Sequence, residues 1–148
     1  MKAEKNTFED MTVGKKASFS RTVTAGMMDA FAAISGDENP LHTDETYARE
    51  QGQPGRVVYG MLTASLYSTL CGMFLPGERS LLQSVEAKFH KPVFIGDELT
   101  VEGEVVERHA ELRVVRVRAV IRNQSGRRVS SAMLQVGVRP LFAEEKRT

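Results

Sequence analysis

The stretch Gly-Asp-Glu-Asn-Pro-Leu-His, residues 36–42, places a carboxylate and an imidazole on either side of an Asn-Pro pair. Both side chains are common general acids and bases, but on one continuous helix Asp37 and His42 would point in different directions. Proline disfavours the helical conformation of the preceding residue, so a bend is predicted at Asn39. A bent chain can turn both groups toward one water molecule. The pair alone leaves simpler roles open, a turn residue for Asp37 and a surface or core residue for His42.

The composition predicts a single globular domain that spans residues 1–148. Of these 148 residues, 41% are hydrophobic and 26% charged, and the formal net charge is +1. That length suffices to bury a core without disulfides or structural metal. Because the net charge is close to zero, neither nucleic acid nor a membrane is expected as a partner. The arginines between positions 113 and 128 are interpreted as solvated faces of strands.

The sequence also predicts a cytoplasmic protein. Cys71 is the single cysteine, so no internal disulfide can form, and its apolar surroundings are typical of a core residue. Residues 1–11 are charged and contain no stretch of signal-peptide type, and no apolar run approaches membrane-spanning length. Residues 144–148 are predicted to form a frayed tail.

Two helices are predicted on either side of the Asp–His stretch. Weak alternation over residues 16–23 predicts a first strand. Thr24 is the expected N-cap of a helix over 25–34, which Gly36 ends in a left-handed conformation. Asp44 is expected to cap a short second helix over 45–50. Asp37 and His42 therefore lie on the connection between the two helices.

The segment from Gly60 to Phe74 contains no charged residue and is apolar around nearly its whole circumference. Such a helix is expected to be buried on most sides by its own protein. Strands are then predicted over 81–90, 99–107, 112–121 and 128–138, as consecutive antiparallel neighbours. Together these elements predict an α+β fold in which the sheet wraps around the apolar helix.

The remaining histidines do not suggest a metal centre. His90 and His109 lie in strand-like contexts without the spacing of metal ligands, so no metal site is expected. Lys88 and Lys91 could contact the phosphates of a nucleotide, but a solvated strand edge is the preferred interpretation.

Three motifs resemble the MaoC-like, or R-specific, enoyl-CoA hydratases. They are FAAISGDENPLH at 31–42, followed by Ala48, then VYGMLTASL at 58–66 and KPVFIGDEL at 91–99. The match in order and spacing covers residues 13–138, the expected core of the domain. The resemblance implies a hot-dog fold, with a long central helix wrapped by a curved antiparallel sheet. It also implies an acyl-CoA substrate, no cofactor, and a homodimer or higher homo-oligomer.

The resemblance further assigns roles to individual residues. Asp37 and His42 would activate one water and exchange a proton with the substrate α-carbon, and the Gly60 N–H would bind the thioester oxygen. Asn39, Tyr59 and Ser68 would support the site. Tyr59 departs from the family, which often has histidine there. These roles suit the chemistry, because water addition needs a base, an acid and a donor for the developing oxyanion.

Other functions remain open at this point. A 3-hydroxyacyl-[acyl-carrier-protein] dehydratase would run the same chemistry in reverse with the same residues. A hot-dog thioesterase is disfavoured, because residues 60–74 lack a carboxylate. A non-catalytic module that binds acyl thioesters is disfavoured by the intact Asp37 and His42 pair.

Overall fold

The computed structural model describes residues 1–141, so the tail predicted at 144–148 lies outside the described part of the chain. Within it, the predicted α+β architecture is confirmed. The strands are β1 (Lys16–Thr22), β2 (Ser80–Phe89), β3 (Glu98–His109), β4 (Val114–Arg122) and β5 (Arg128–Val138). The helices are α1 (Ala25–Ser35), α2 (Pro40–Thr43), α3 (Glu45–Glu50) and α4 (Gly60–Thr69), and a π-helical segment, Leu70–Phe74, continues α4. None of the helices within residues 1–141 is long and apolar enough to cross a membrane.

The five strands form one antiparallel sheet in the order β1-β3-β4-β5-β2. The prediction of consecutive neighbours is correct for β3, β4 and β5 but wrong for β2, which pairs with β5, as in Val85 opposite Leu134. The place beside β3 is taken by β1, with Phe19 opposite Val101. Because each strand has only two edges, β2 occupies the free edge of β5 instead.

The core lies between one face of the sheet and α4. Alternate residues of the central strands are buried on that face, as expected for a sheet with one solvated side. From α4 and its π-helical extension, Tyr67, Leu70 and Cys71 pack against them, and the Tyr67 hydroxyl donates to Ser130 Oγ at 2.7 Å. The interpretation of Cys71 as a core residue is confirmed. Its burial raises the thiol pKa to about 12.

The expectation that α4 is buried on most sides is wrong for the single chain. Met61 is 65% exposed, and Ser65 and Ser68 are also exposed. The apolar residues of α1 are likewise covered unevenly, because Met28 is fully buried while Ile34 is 84% exposed. The reason is geometric: the five-stranded sheet covers one side of α4, and no described element covers the other.

We expect Gly103 to set how closely the central helix approaches β3. A Cβ at this position would lie 2.7 Å from Leu70 Cδ2 and 3.2 Å from Val117 Cγ1, both in the core. Gly103→Ala should therefore lower the unfolding free energy by about 1–3 kcal/mol, the usual cost of overpacking. Gly72→Ala is the matched control, since nothing lies within 4 Å of its added Cβ. Urea denaturation compares the two, and equal stabilities would contradict the expectation.

Candidate functional site

The Asp–His stretch folds into two side-chain-capped turns and one turn of helix. Gly36 ends α1 with φ 75°, the left-handed conformation predicted for it. Asp37 Oδ1 then accepts the Asn39 N–H at 3.1 Å, and Asn39 Oδ1 accepts the Leu41 N–H at 3.0 Å as the N-cap of α2. Asn39 is extended, with ψ 129°, as the following proline requires. The predicted bend is therefore confirmed at Asn39, but His42 lies on a short helix and not on a loop.

The His42 ring is fixed by the segment that precedes α4. His42 Nδ1 lies 2.6 Å from the Val57 carbonyl oxygen. Since a carbonyl only accepts hydrogen bonds, Nδ1 carries a proton, which leaves Nε2 as the ring nitrogen that can accept or release one. Arg56 Nε donates to the His42 carbonyl at 2.7 Å, and the Val57 N–H donates to the Leu41 carbonyl at 3.1 Å. These bonds hold α2 against residues 56–57.

Tyr59 connects the two residues that the sequence singles out. Its side chain is buried, and its ring packs against Phe31 and stacks on His42, with centroid distances of 4.7 Å and 4.2 Å. Its hydroxyl donates to the Asp37 carbonyl at 2.5 Å. Burial, reinforced by the nearby Asp37 charge, raises the pKa of the phenol, so Tyr59 stays protonated and remains a donor. The Asp37 backbone and the His42 ring are thus held against one side chain.

A cavity of about 320 Å³ lies beside this cluster. His42 from α2 and Gly60 from α4 both line it, so the structure brings these two predicted residues together. The rest of its wall includes Thr63 from α4, Phe89 at the end of β2, and the segment 90–93 that follows. The Val58 N–H donates to the Val93 carbonyl at 2.8 Å and so ties that segment to the start of α4.

Gly60 is the first residue of α4, as predicted. Its N-cap residue, Tyr59, makes no side-chain capping bond, and within residues 1–141 the Gly60 N–H has no hydrogen-bond partner. The first N–H groups of a helix carry the positive end of its dipole and can bind an anionic oxygen. A Cβ on Gly60 would lie 3.5 Å from Phe89 Cε1. A side chain at this position would therefore contact the Phe89 ring at the wall of the cavity.

The other predicted site residues do not line the cavity of the single chain. The Asp37 and Asn39 side chains are exposed, and each caps the backbone two residues ahead. Tyr59 lies behind His42, and Ser68 lies on the open side of α4. Asp37 is therefore joined to His42 through Tyr59.

Among residues 1–141 there is no group of three His, Cys, Asp or Glu side chains that could hold a metal ion.

Thr63 and Phe89 are cavity residues that sequence reasoning missed. Thr63 follows Gly60 by three positions, so helical periodicity places both on one face and could have identified it. Phe89 comes close to Gly60 only because β2 pairs with β5 beneath α4. Nothing local in the sequence indicates that pairing.

Comparisons with known proteins extend over most of the chain. A family model described as "MaoC like domain" matches residues 8–125. The chain is 39% identical over 118 residues to the (R)-specific enoyl-CoA hydratase of Aeromonas caviae, covering 80% of this chain and 88% of the relative. It is 36% identical over 110 residues to the 3-hydroxybutyryl-CoA dehydratase of Methylorubrum extorquens, covering 74% of this chain and 70% of that protein. Among solved structures, the (R)-hydratase from A. caviae involved in PHA biosynthesis matches with a TM-score of 0.85 and 36% identity, over 88% of this chain and 98% of that one.

Removing the Tyr59 hydroxyl should loosen the Asp37 turn. Tyr59→Phe keeps the ring that stacks on His42 but deletes the donor to the Asp37 carbonyl. We expect the unfolding free energy to fall by about 0.5–1.5 kcal/mol, the net worth of one hydrogen bond. Hydrogen exchange of the amides at 37–39 should become faster. Tyr47→Phe is the control, because Tyr47 is partly exposed on α3 and its hydroxyl has no partner within residues 1–141. Unchanged exchange in Tyr59→Phe would contradict the role of the hydroxyl.

Proposed function

Because the chain belongs to the MaoC-like domain family and has the hot-dog fold of its relatives, we propose that it is an R-specific enoyl-CoA hydratase. It adds water reversibly to a trans-2-enoyl-CoA and forms the (R)-3-hydroxyacyl-CoA. The observation that carries this proposal is a cavity lined both by His42, whose Nδ1 is bonded to the Val57 carbonyl, and by Gly60, whose N–H at the start of α4 has no partner within residues 1–141. The imidazole of His42 is suited to transfer a proton, and the Gly60 N–H is suited to bind the negatively charged oxygen that forms during the reaction.

In the proposed reaction, Asp37 and His42 activate one water molecule. The water oxygen forms a bond to C3 while one of its protons passes to this pair, and the π electrons of the double bond move toward C2 and the thioester oxygen. The Gly60 N–H stabilises the charge on that oxygen. A proton from the pair then binds C2, so that water has added across the double bond. Asp37 is included because of its family role; in the single chain its carboxylate is exposed and accepts the Asn39 N–H, and Tyr59 links its backbone to the His42 ring.

This reaction needs no cofactor, because the CoA thioester is itself the substrate and supplies the carbonyl group that accepts the charge. We also propose a cytoplasmic location. The single cysteine, Cys71, is buried as a free thiol in the core, and reduced thiols are the rule in that compartment.

The function is tested by mixing the purified protein with crotonyl-CoA and following the loss of the enoyl absorbance. Chiral analysis of the product should give the R enantiomer. An S product would refute the stereochemical assignment. Turnover of crotonyl thioesters of acyl carrier protein, without turnover of short or medium enoyl-CoA, would favour the dehydratase alternative. Binding of acyl-CoA without turnover of either would indicate a non-catalytic module.

Replacing either member of the proposed pair should impair turnover. We expect Asp37→Asn and His42→Gln each to lower kcat by about 10²-fold or more, the scale of positioned acid–base groups. The double variant should lose far less than the product of the single effects, because both groups act on one water. His109→Gln is the control, since His109 is exposed at the end of β3 and pairs with Glu107. Normal turnover in a folded single variant would remove that residue from the mechanism.

We propose a homodimer in which the second copy covers β2. This strand forms one edge of the sheet, and its partners on β5 place Leu82, Val85 and Phe89 on the same face as α4. They are nonetheless 38%, 43% and 50% exposed in the single chain. An apolar strip beside an unpaired strand edge is a typical site of association. The open side of α4, with Met61, faces solvent in the same single chain.

A charge in this strip should weaken the dimer. We expect light scattering to show a dimer at micromolar concentration and Val85→Glu to shift it toward monomer. Val13→Glu is the control, because Val13 is 60% exposed next to β1, at the opposite edge of the sheet. A wild-type protein that remains monomeric, or a Val85→Glu variant that remains as dimeric as the control, would contradict the proposed interface.

A further inference from the structure

Thr63 carries a buried hydroxyl that no described group uses. Its residue is 2% exposed, and Oγ1 has no hydrogen-bond partner within residues 1–141. Thr63 also lines the cavity together with His42 and Gly60. Burying an unpaired hydroxyl costs free energy, whereas valine would fill the same space without that cost. The hydroxyl therefore needs a partner from outside the chain.

The backbone of α4 does not accept a hydrogen bond from this hydroxyl. A helical serine or threonine commonly donates to the carbonyl three or four residues earlier, which for Thr63 is that of Gly60 or Tyr59, and Thr63 Oγ1 bonds to neither. The Tyr59 carbonyl accepts two N–H groups instead, from Leu62 at 3.0 Å and from Thr63 itself at 3.1 Å. On the same helix, Ser65 does bond backward, because its Oγ donates to the Leu62 carbonyl at 2.6 Å. Thr63 thus differs from its neighbour in leaving its hydroxyl free.

The geometry of a helix places Thr63 on the same face as Gly60. Residues three apart share a helix face, and side chains lean toward the helix N-terminus. The Thr63 side chain therefore lies over the turn that Gly60 begins, and both residues line the cavity. Both donors are unpartnered, and Phe89 and Val93 give this part of the cavity apolar walls. Two free donors in an apolar surround form a binding place for one oxygen atom of a ligand.

We propose that the Thr63 hydroxyl donates a hydrogen bond to the thioester carbonyl oxygen of the substrate, as a second donor beside the Gly60 N–H. This inference rests on the proposed hydratase function and names one further residue of its site. As the water oxygen bonds to C3, negative charge builds up on the thioester oxygen, and both donors stabilise it. Thr63 keeps its proton throughout, and no bond to it is made or broken.

The test compares Thr63→Val, which removes the hydroxyl but keeps the shape, with Thr63→Ser, which keeps the hydroxyl. We expect Thr63→Val to lower kcat with crotonyl-CoA by about 10²-fold, the scale for one lost oxyanion donor, with a smaller change in KM. Its thermal stability should be equal or higher, because an unpaired buried hydroxyl has been removed. Thr63→Ser should retain turnover within a few fold. Ser65→Ala, whose hydroxyl is satisfied within α4, should behave as wild type.

Normal kcat in Thr63→Val would overturn the proposal and leave a buried water as the partner of the hydroxyl. Equal losses of kcat in the Val and Ser variants, with lower stability, would also overturn it in favour of a packing role. If the wild type hydrates no enoyl-CoA, the proposed hydratase function is wrong. The proposed Thr63 contact is then tested by itself, by comparing how tightly the variants bind butyryl-CoA, a thioester that cannot be hydrated. Weaker binding by Thr63→Val than by Thr63→Ser would support the thioester contact. Equal binding, or no binding by the wild type, would refute it.

Discussion

The position of Tyr59 is the constraint on which the rest of the site depends. Its ring packs between α1 and α2, its hydroxyl holds the turn at Asp37, and its carbonyl accepts the N–H groups of Leu62 and Thr63 in the first turn of α4. One residue therefore fixes the start of the central helix relative to the His42 ring. A side chain that filled the same space without the hydroxyl would keep the stacking but release the Asp37 turn. The phenol at this position, which departs from the histidine common in the family, thus has a structural explanation.

The features that the sequence predicted correctly depend on contacts between near neighbours. Thr24 accepts the Met27 N–H and Asp44 accepts the Tyr47 N–H, each three residues along the chain, so both caps could be identified from residue type and spacing. The same holds for the end of α1 at Gly36 and the start of α4 at Gly60. The resemblance to MaoC-like hydratases rests on such local motifs, and the family match confirms it.

The features that the sequence did not predict depend on distant contacts. The pairing of β2 with β5 follows from competition for strand edges across the whole sheet, which no short motif encodes. The apolar composition of α4 led to the wrong expectation that the helix is buried on most sides, because composition does not show which elements of the fold lie against which face of a helix. The unpartnered hydroxyl of Thr63 could not be predicted either, because its burial and its lack of a partner depend on the packing around α4.

The burial of Cys71 makes the thiol a reporter of conformational opening. It is 1% exposed in the core, on the π-helical segment that continues α4, and its raised pKa leaves almost no thiolate at neutral pH. An alkylating reagent needs both access and thiolate, so it can modify Cys71 only in molecules whose core has opened. The rate of labelling under native conditions therefore measures how often the central helix separates from the sheet. Since acyl thioesters are themselves weak electrophiles, the same burial keeps the thiol out of reach of the proposed substrate.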